Sequence, residues 1–141
     1  MAAYDEAVAR LPSRHNGAVR NTPRTPEEFF AGHELGLAAF EKLSDSLRAI
    51  GPFEVRVSRS QVALRRRRGF AYLWLPGQYL KKPTAEVVLT IALGRAVESP
   101  RFKEVAHPSS AEWMHHLEIH ALSDLDEEVE TWLREAAERA T

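Results

Sequence analysis

Apolar positions along the chain fall into two periods. Near the start, Phe29, Phe30, Leu35, Leu37, Phe40, Leu43, Leu47 and Ile50 recur every three or four residues, which predicts a helix with one buried face. Thr25-Pro26-Glu27-Glu28 supplies its start, with Thr25 able to cap, Pro26 suited to the first helical position and Glu28 completing a capping box. Gly32 and Gly36 weaken the first half, so the pattern fits either one helix over 26–49 or a short turn, a break near Gly32 and a main helix from about His33. Gly51-Pro52 stops it. At the other end, Leu125, Val129, Trp132, Leu133, Ala136 and Ala137 form a second helical stripe. Ser123 is placed as its N-cap, and acidic residues crowd a first turn where the helix dipole favours them.

Between these helices the period drops to two. Phe53, Val55 and Val57 alternate with Glu54 and Arg56, and Val62 and Leu64 repeat the pattern. Residues 65–68 are four arginines and read as the turn of a hairpin into Phe70–Leu75, which is apolar on both faces and therefore central. Val87, Leu89, Ile91 and Leu93 mark a fourth strand, and Leu117 with Ile119 a short fifth one. Residues 95–112 hold Pro100, Pro108 and three serines and read as a long excursion with little regular structure. The fold class is α+β: a mostly antiparallel sheet of about five strands, with a long N-terminal-side helix and a C-terminal helix packed on one face.

That domain occupies residues 26–141. Ahead of it, Tyr4, Ala7, Val8 and Leu11 are spaced for a short docking helix, and residues 12–24 are turn-rich, so 1–25 is expected to be a partly flexible tail. The 141 residues carry 44% hydrophobic side chains, enough for one core. There is no cysteine, which removes thiolate chemistry and points to a reducing, cytoplasmic setting. No apolar run approaches membrane-spanning length.

Net charge is −1, but it is unevenly spread. Eleven Arg/Lys stand against three Glu over 51–103, and seven acidic residues against two basic over 124–139. A basic middle can meet an anionic partner or face the acidic end within the fold. Arg56, Arg59, Arg65, Arg66, Arg67, Arg68, Lys81 and Lys82 are the candidate anion- or nucleic-acid-binding residues, with Tyr72 and Trp74 as stacking platforms. Exposed charge runs more often simply solvate a turn.

A pocket for a small anionic ligand is the alternative, with Trp74, Arg101, Lys103, Trp113 and His116 as candidates and the aromatic seam of Phe29, Phe30, Trp74, Tyr79, Trp113 and Trp132 between sheet and helices as its place. His116, Glu118 and His120 share one strand face and are weak metal-ligand candidates, with His107, Glu112 or His33 needed to complete a site for metal-dependent hydrolysis. Three groups in line along a strand sit ~6.6 Å apart at their roots, so a polar outer face explains them more simply. No nucleophile elbow, phosphate loop or dinucleotide fingerprint occurs, so catalysis has little support and no cofactor is expected.

Several strings then converge on one family. Phe30 and Gly32 precede a helix ending in Ile50-Gly51-Pro52, followed by SRSQVALRRRRGFAYLWLP, VVLTIAL, SPRFKEV and MHHLEIHALSDLDEEVETWLREAAERA. Over about residues 26–140 the chain resembles the bacterial family known as domain of unknown function 5655. The resemblance implies a small α+β domain, alone or attached to other modules, with no established activity and no catalytic residues to carry over. It touches Ser60-Gln61, Arg65 to Arg67, Phe70 to Trp74, Arg101, Lys103, His115-His116, Asp126, Trp132 and Leu133. Arg59 stands where the family pattern has Lys, and Leu64 where an aromatic is common. The expectation is a cytoplasmic, non-enzymatic binding or accessory module whose basic hairpin and strand face meet an anionic partner.

Overall fold

The computed structural model describes residues 22–141. The expected helix over 2–11 and most of the expected tail lie outside them. Of the two outcomes open for the first helix, the broken one is found. Helix α1 (Pro26–Phe29) is a single turn capped by Thr25, whose hydroxyl accepts from the Glu28 N–H at 3.1 Å. Gly32 then takes a left-handed φ of +81°, which ends the turn, and α2 runs over Glu34–Arg48. Gly36 is the second device. A methyl there would overlap the Phe30 ring, so its hydrogen lets α1 fold back on α2.

The sheet has six strands in the order β1-β2-β3-β4-β6-β5, every neighbouring pair antiparallel. They are β1 (Glu54–Val57), β2 (Val62–Arg65), β3 (Gly69–Trp74), β4 (Val87–Leu93), β5 (Phe102–Ser109) and β6 (Glu112–Ile119). The count of about five was one short, because β5 falls inside the expected excursion of residues 95–112. The last strand is also longer than expected, eight residues rather than a short piece. β5 is an edge strand with register shifts around Lys103 and at Ala106/Ser109. Only Phe102 among its residues is buried, so it never needed a run of apolar side chains.

Helix α2 and the C-terminal helix α3 (Glu127–Arg139) cover one face. Val62 and Leu64 of β2, Leu73 of β3, Leu89 of β4 and Leu117 of β6 meet Leu43, Leu47, Val129 and Leu133 in a continuous core. The cap of α3 corrects the sequence reading. Asp126, not Ser123, is the N-cap, its carboxylate accepting from the Val129 N–H at 3.2 Å. Ser123 lies in a preceding 3-10 turn (Leu122–Asp124), where the Asp124 carboxylate accepts from the His120 and Ala121 N–H groups.

The opposite face carries the alternate residues, among them Tyr72 and Trp74 of β3, Thr90 of β4 and His116 of β6. The β3–β4 connection returns over part of it. Tyr79 and Leu80 pack on Trp74 and Val88, a small second cluster that gives β3 its cover on both sides. No helix among the described residues is long and apolar enough to cross a membrane.

Candidate ligand pocket on the open sheet face

Thr90 is the one polar residue in a strand that otherwise reads VVLTIAL, and all seven residues of that strand are buried. A buried hydroxyl needs partners. Its neighbours across the sheet provide them: Trp74 Nε1 donates to Thr90 Oγ1 at 2.8 Å, and Thr90 Oγ1 lies 2.7 Å from His116 Nδ1. The indole can only donate, so Thr90 accepts there and can turn its own proton towards the imidazole. His116 stands edge-on to the Trp74 ring with centroids 5.8 Å apart. Three strands are thereby tied together on the open face.

Above this network is a pocket of about 240 Å³. Tyr72, Trp74, Tyr79 and Met114 form its apolar walls, and Ser60, Gln61, Thr90 and His116 bring polar groups to it. The phenols are held neutral. Burial pushes Tyr79 up to about 12. Burial also raises Tyr72, Glu112 adding to the rise while Arg65 opposes it. The Tyr72 ring reaches back over Gly69, where any side chain would collide with its hydroxyl. Basic residues neighbour the lining residues in sequence rather than line the pocket: Arg59 precedes Ser60, and Lys81 and Lys82 follow Tyr79 and Leu80, all three exposed.

The sequence-derived ligand candidates divide. Trp74 and His116 meet in this pocket, on the face away from the helices rather than in the seam. Trp113 is on the other side of β6, paired with Leu93, and stacks on His107 at 3.5 Å. Arg101 is engaged elsewhere. Its guanidinium donates to Asp126 at 2.9 Å, to Glu128 at 3.0 Å and to the Asp124 carbonyl at 2.7 Å, fastening the β4–β5 loop to the start of α3 and holding the Asp126 carboxyl below its usual range. Lys103 is exposed at the β5 bulge.

The basic candidates divide as well. Arg66 donates to the carbonyls of Pro52 (3.2 Å) and Ala137 (3.1 Å), and the Arg67 N–H donates to the Ala140 carbonyl at 2.8 Å. The arginine turn therefore caps the C-terminal end of α3. Arg65 and Arg66 line a second, shallow groove with Phe53 and Glu54. Arg56 projects from β1 on the open face, its pairing with Ala63 placing it in line with Tyr72, while Arg67 and Arg68 are exposed at the tip.

His116 and Glu118 share a face as expected. Glu118 accepts from the Thr84 hydroxyl and lies 3.3 Å from His120 Nε2. Among the described residues no group of three or more His, Asp or Glu is placed to hold a metal ion. His115 faces the core. Its Nδ1 is shared between the Ile91 (3.3 Å) and Trp113 (3.1 Å) carbonyls and its Nε2 accepts from the Val97 N–H at 3.0 Å, so burial lowers its pKa and the neutral ring is fully bonded.

Ser60, Gln61, Thr90 and Met114 were not among the sequence candidates. Thr90 had a usable signal, a lone polar residue in an apolar strand. Gln61 and Ser60 were marked only by the family resemblance, which assigned them no role.

No curated protein and no solved structure gives a significant match to the chain. A family model does, over residues 27–139. With most of its length so matched, the chain belongs to the family described as domain of unknown function, DUF5655.

Proposed function

We propose that this domain is a binding module that takes a small flat ligand carrying an anionic group into the pocket on the open sheet face. One observation carries the reading. His116, the histidine lining the pocket, is fixed by a buried hydrogen-bonded floor beneath aromatic walls, on the face that α2 and α3 leave uncovered. Such preorganised apolar walls with a few converging polar groups are what small-molecule sites use. At about 240 Å³ the space suits one ring system, and Arg59, Lys81 and Lys82 are near enough in sequence to its lining residues to meet an anionic substituent at the mouth. The arginine turn gives weaker support to a surface for an extended anionic partner, because Arg66 already holds two carbonyls.

The test is isothermal titration of the full chain with aromatic carboxylates, nucleoside monophosphates and inorganic phosphate, repeated on Met114→Trp. Ring-bearing anions should bind saturably, phosphate alone should not, and the Trp variant should lose binding with its circular dichroism unchanged. Heats absent for every ring-bearing anion, or retained in Met114→Trp, would defeat the proposal.

A further inference from the structure

Among the polar residues lining the pocket, Gln61 differs from the others. Thr90 and His116 bond one another, and the Ser60 hydroxyl lies 3.2 Å from that of Ser58. The Gln61 side chain makes no hydrogen bond within the described protein. Its backbone, by contrast, is fixed: the Gln61 carbonyl accepts from the Ser58 N–H at 3.0 Å and the Ser58 hydroxyl at 3.3 Å, closing the β1–β2 turn. Gln61 immediately precedes β2, and the Val62–Leu73 pairing sets it at the height of Trp74. It is half-buried. A primary amide is thus presented from a fixed turn beside the indole that floors the pocket.

A carboxamide offers one acceptor and one donor side by side in a plane. That edge is complementary to a ring bearing N–H next to C=O, or a ring nitrogen next to an amino group, by two parallel hydrogen bonds. An aliphatic or simple aromatic anion would leave the amide unmatched. We infer that Gln61 is the specificity-determining residue of the pocket and that the ligand is a nitrogen heterocycle with a lactam or amidine edge carrying phosphate, which is the chemistry of a nucleotide. The inference rests on the pocket reading proposed above. A free nucleotide and a base within a single strand share this chemistry, and their phosphates would meet the same exposed Arg59, Lys81 and Lys82.

Titrations of the full chain with uridine monophosphate, its N3-methylated form, inosine monophosphate, indole-3-carboxylate and a short oligouridylate test it, on wild type and on Gln61→Leu. The side chain is half-exposed, so the variant should fold. Uridine or inosine monophosphate should bind wild type, and Gln61→Leu should weaken that binding roughly 5- to 150-fold, the range for loss of a bidentate amide contact. N3-methylation should weaken uridine monophosphate similarly and have no further effect on the variant. Indole-3-carboxylate should bind both proteins alike. Tighter binding of the oligouridylate than of the monophosphate would assign the base to a strand, and the reverse to a free nucleotide; either supports the inference. Equal binding of a lactam-bearing nucleotide to wild type and Gln61→Leu overturns the role of Gln61 and leaves the pocket standing. No binding by any ring-bearing anion overturns both.

Discussion

Thr90 shows how much can depend on one hydroxyl. Replacing it with Val keeps the shape of the side chain but removes the atom that Trp74 and His116 share on the open face. Taking away a buried partner in this way costs about 1–3 kcal/mol, and Thr90→Val should lower the urea midpoint accordingly with the m-value unchanged. The adjacent histidines call for opposite treatment, since one lines the pocket and the other is core. His115 is neutral in the fold, and burial holds its pKa below the unfolded value. At pH below the unfolded histidine pKa of roughly 6.5, the unfolded chain gains a proton there that the folded chain refuses. The stability tied to His115 is therefore complete above that pH and is lost as pH falls from it towards the lowered native pKa. Urea midpoints of wild type and His115→Gln compared between pH 8 and pH 5 check this: the wild-type midpoint should fall more steeply.

The start of α3 gives a test at the scale of the element. Asp126 caps the helix and takes the Arg101 guanidinium, whereas Ser123 is exposed in the turn before it. Asp126→Ala should cost about 1 kcal/mol in chemical denaturation, the usual value of a lost N-cap, and Ser123→Ala almost nothing. The Asp126 carboxyl is half-exposed and its pKa lies below the ordinary value, so this contribution is present above the unfolded carboxylate pKa and fades as pH falls through the native one. The same helix marks what could be read from the sequence. Its stripe of Val129, Trp132 and Leu133 was legible because burial on one face imposes the helical period; its cap was not, because Ser123 and Asp126 both fit the cap chemistry and only backbone geometry decides between them. Strands β2 to β4 and β6 were legible because their apolar residues are buried against α2 and α3, and β1 through its alternation alone, since only Val57 of it is even partly buried. β5 escaped because an edge strand with one partner satisfies its backbone while burying only Phe102. For the pocket, Trp74 and His116 could be singled out as unusual. Tyr79 was legible as a pocket aromatic too, though it was expected in the helix–sheet seam; Gln61 and Met114 were not marked by their chemistry, since they come from a turn and another strand that meet only once the six strands are ordered.

At the scale of the whole molecule, the ion pairs between the basic middle and the acidic end of the sequence run, among the described residues, through Arg95 and Arg101 rather than through the arginine turn. The carboxylates of α3 pair on the helix side, Glu135 with Arg95 at 2.9 Å and Asp126 and Glu128 with Arg101, while Glu130 accepts from Ser46. Where the arginine turn does meet α3, it meets backbone: Arg66 and the Arg67 N–H bind carbonyls at the C-terminal end, where the helix dipole favours positive charge. One run of four arginines thus contains a structural residue and a solvated tip, which substitution can separate. Arg66→Ala removes bonds to two carbonyls and should lower stability by about 1–2 kcal/mol. Arg67→Ala with Arg68→Ala removes exposed side chains only, leaves the Arg67 backbone bond to Ala140 in place and should be within about 0.5 kcal/mol of wild type. Because the ligand reading depends on Arg59, Lys81 and Lys82 around the open-face pocket, the tip variant should also bind ring-bearing phosphates as wild type does, whereas Arg59→Ala with Lys81→Ala should bind them more weakly and with a shallower dependence on salt. Equal loss of binding in both double variants would mean that the anion is held by the basic surface at large, and would move the site from the pocket back to the arginine turn.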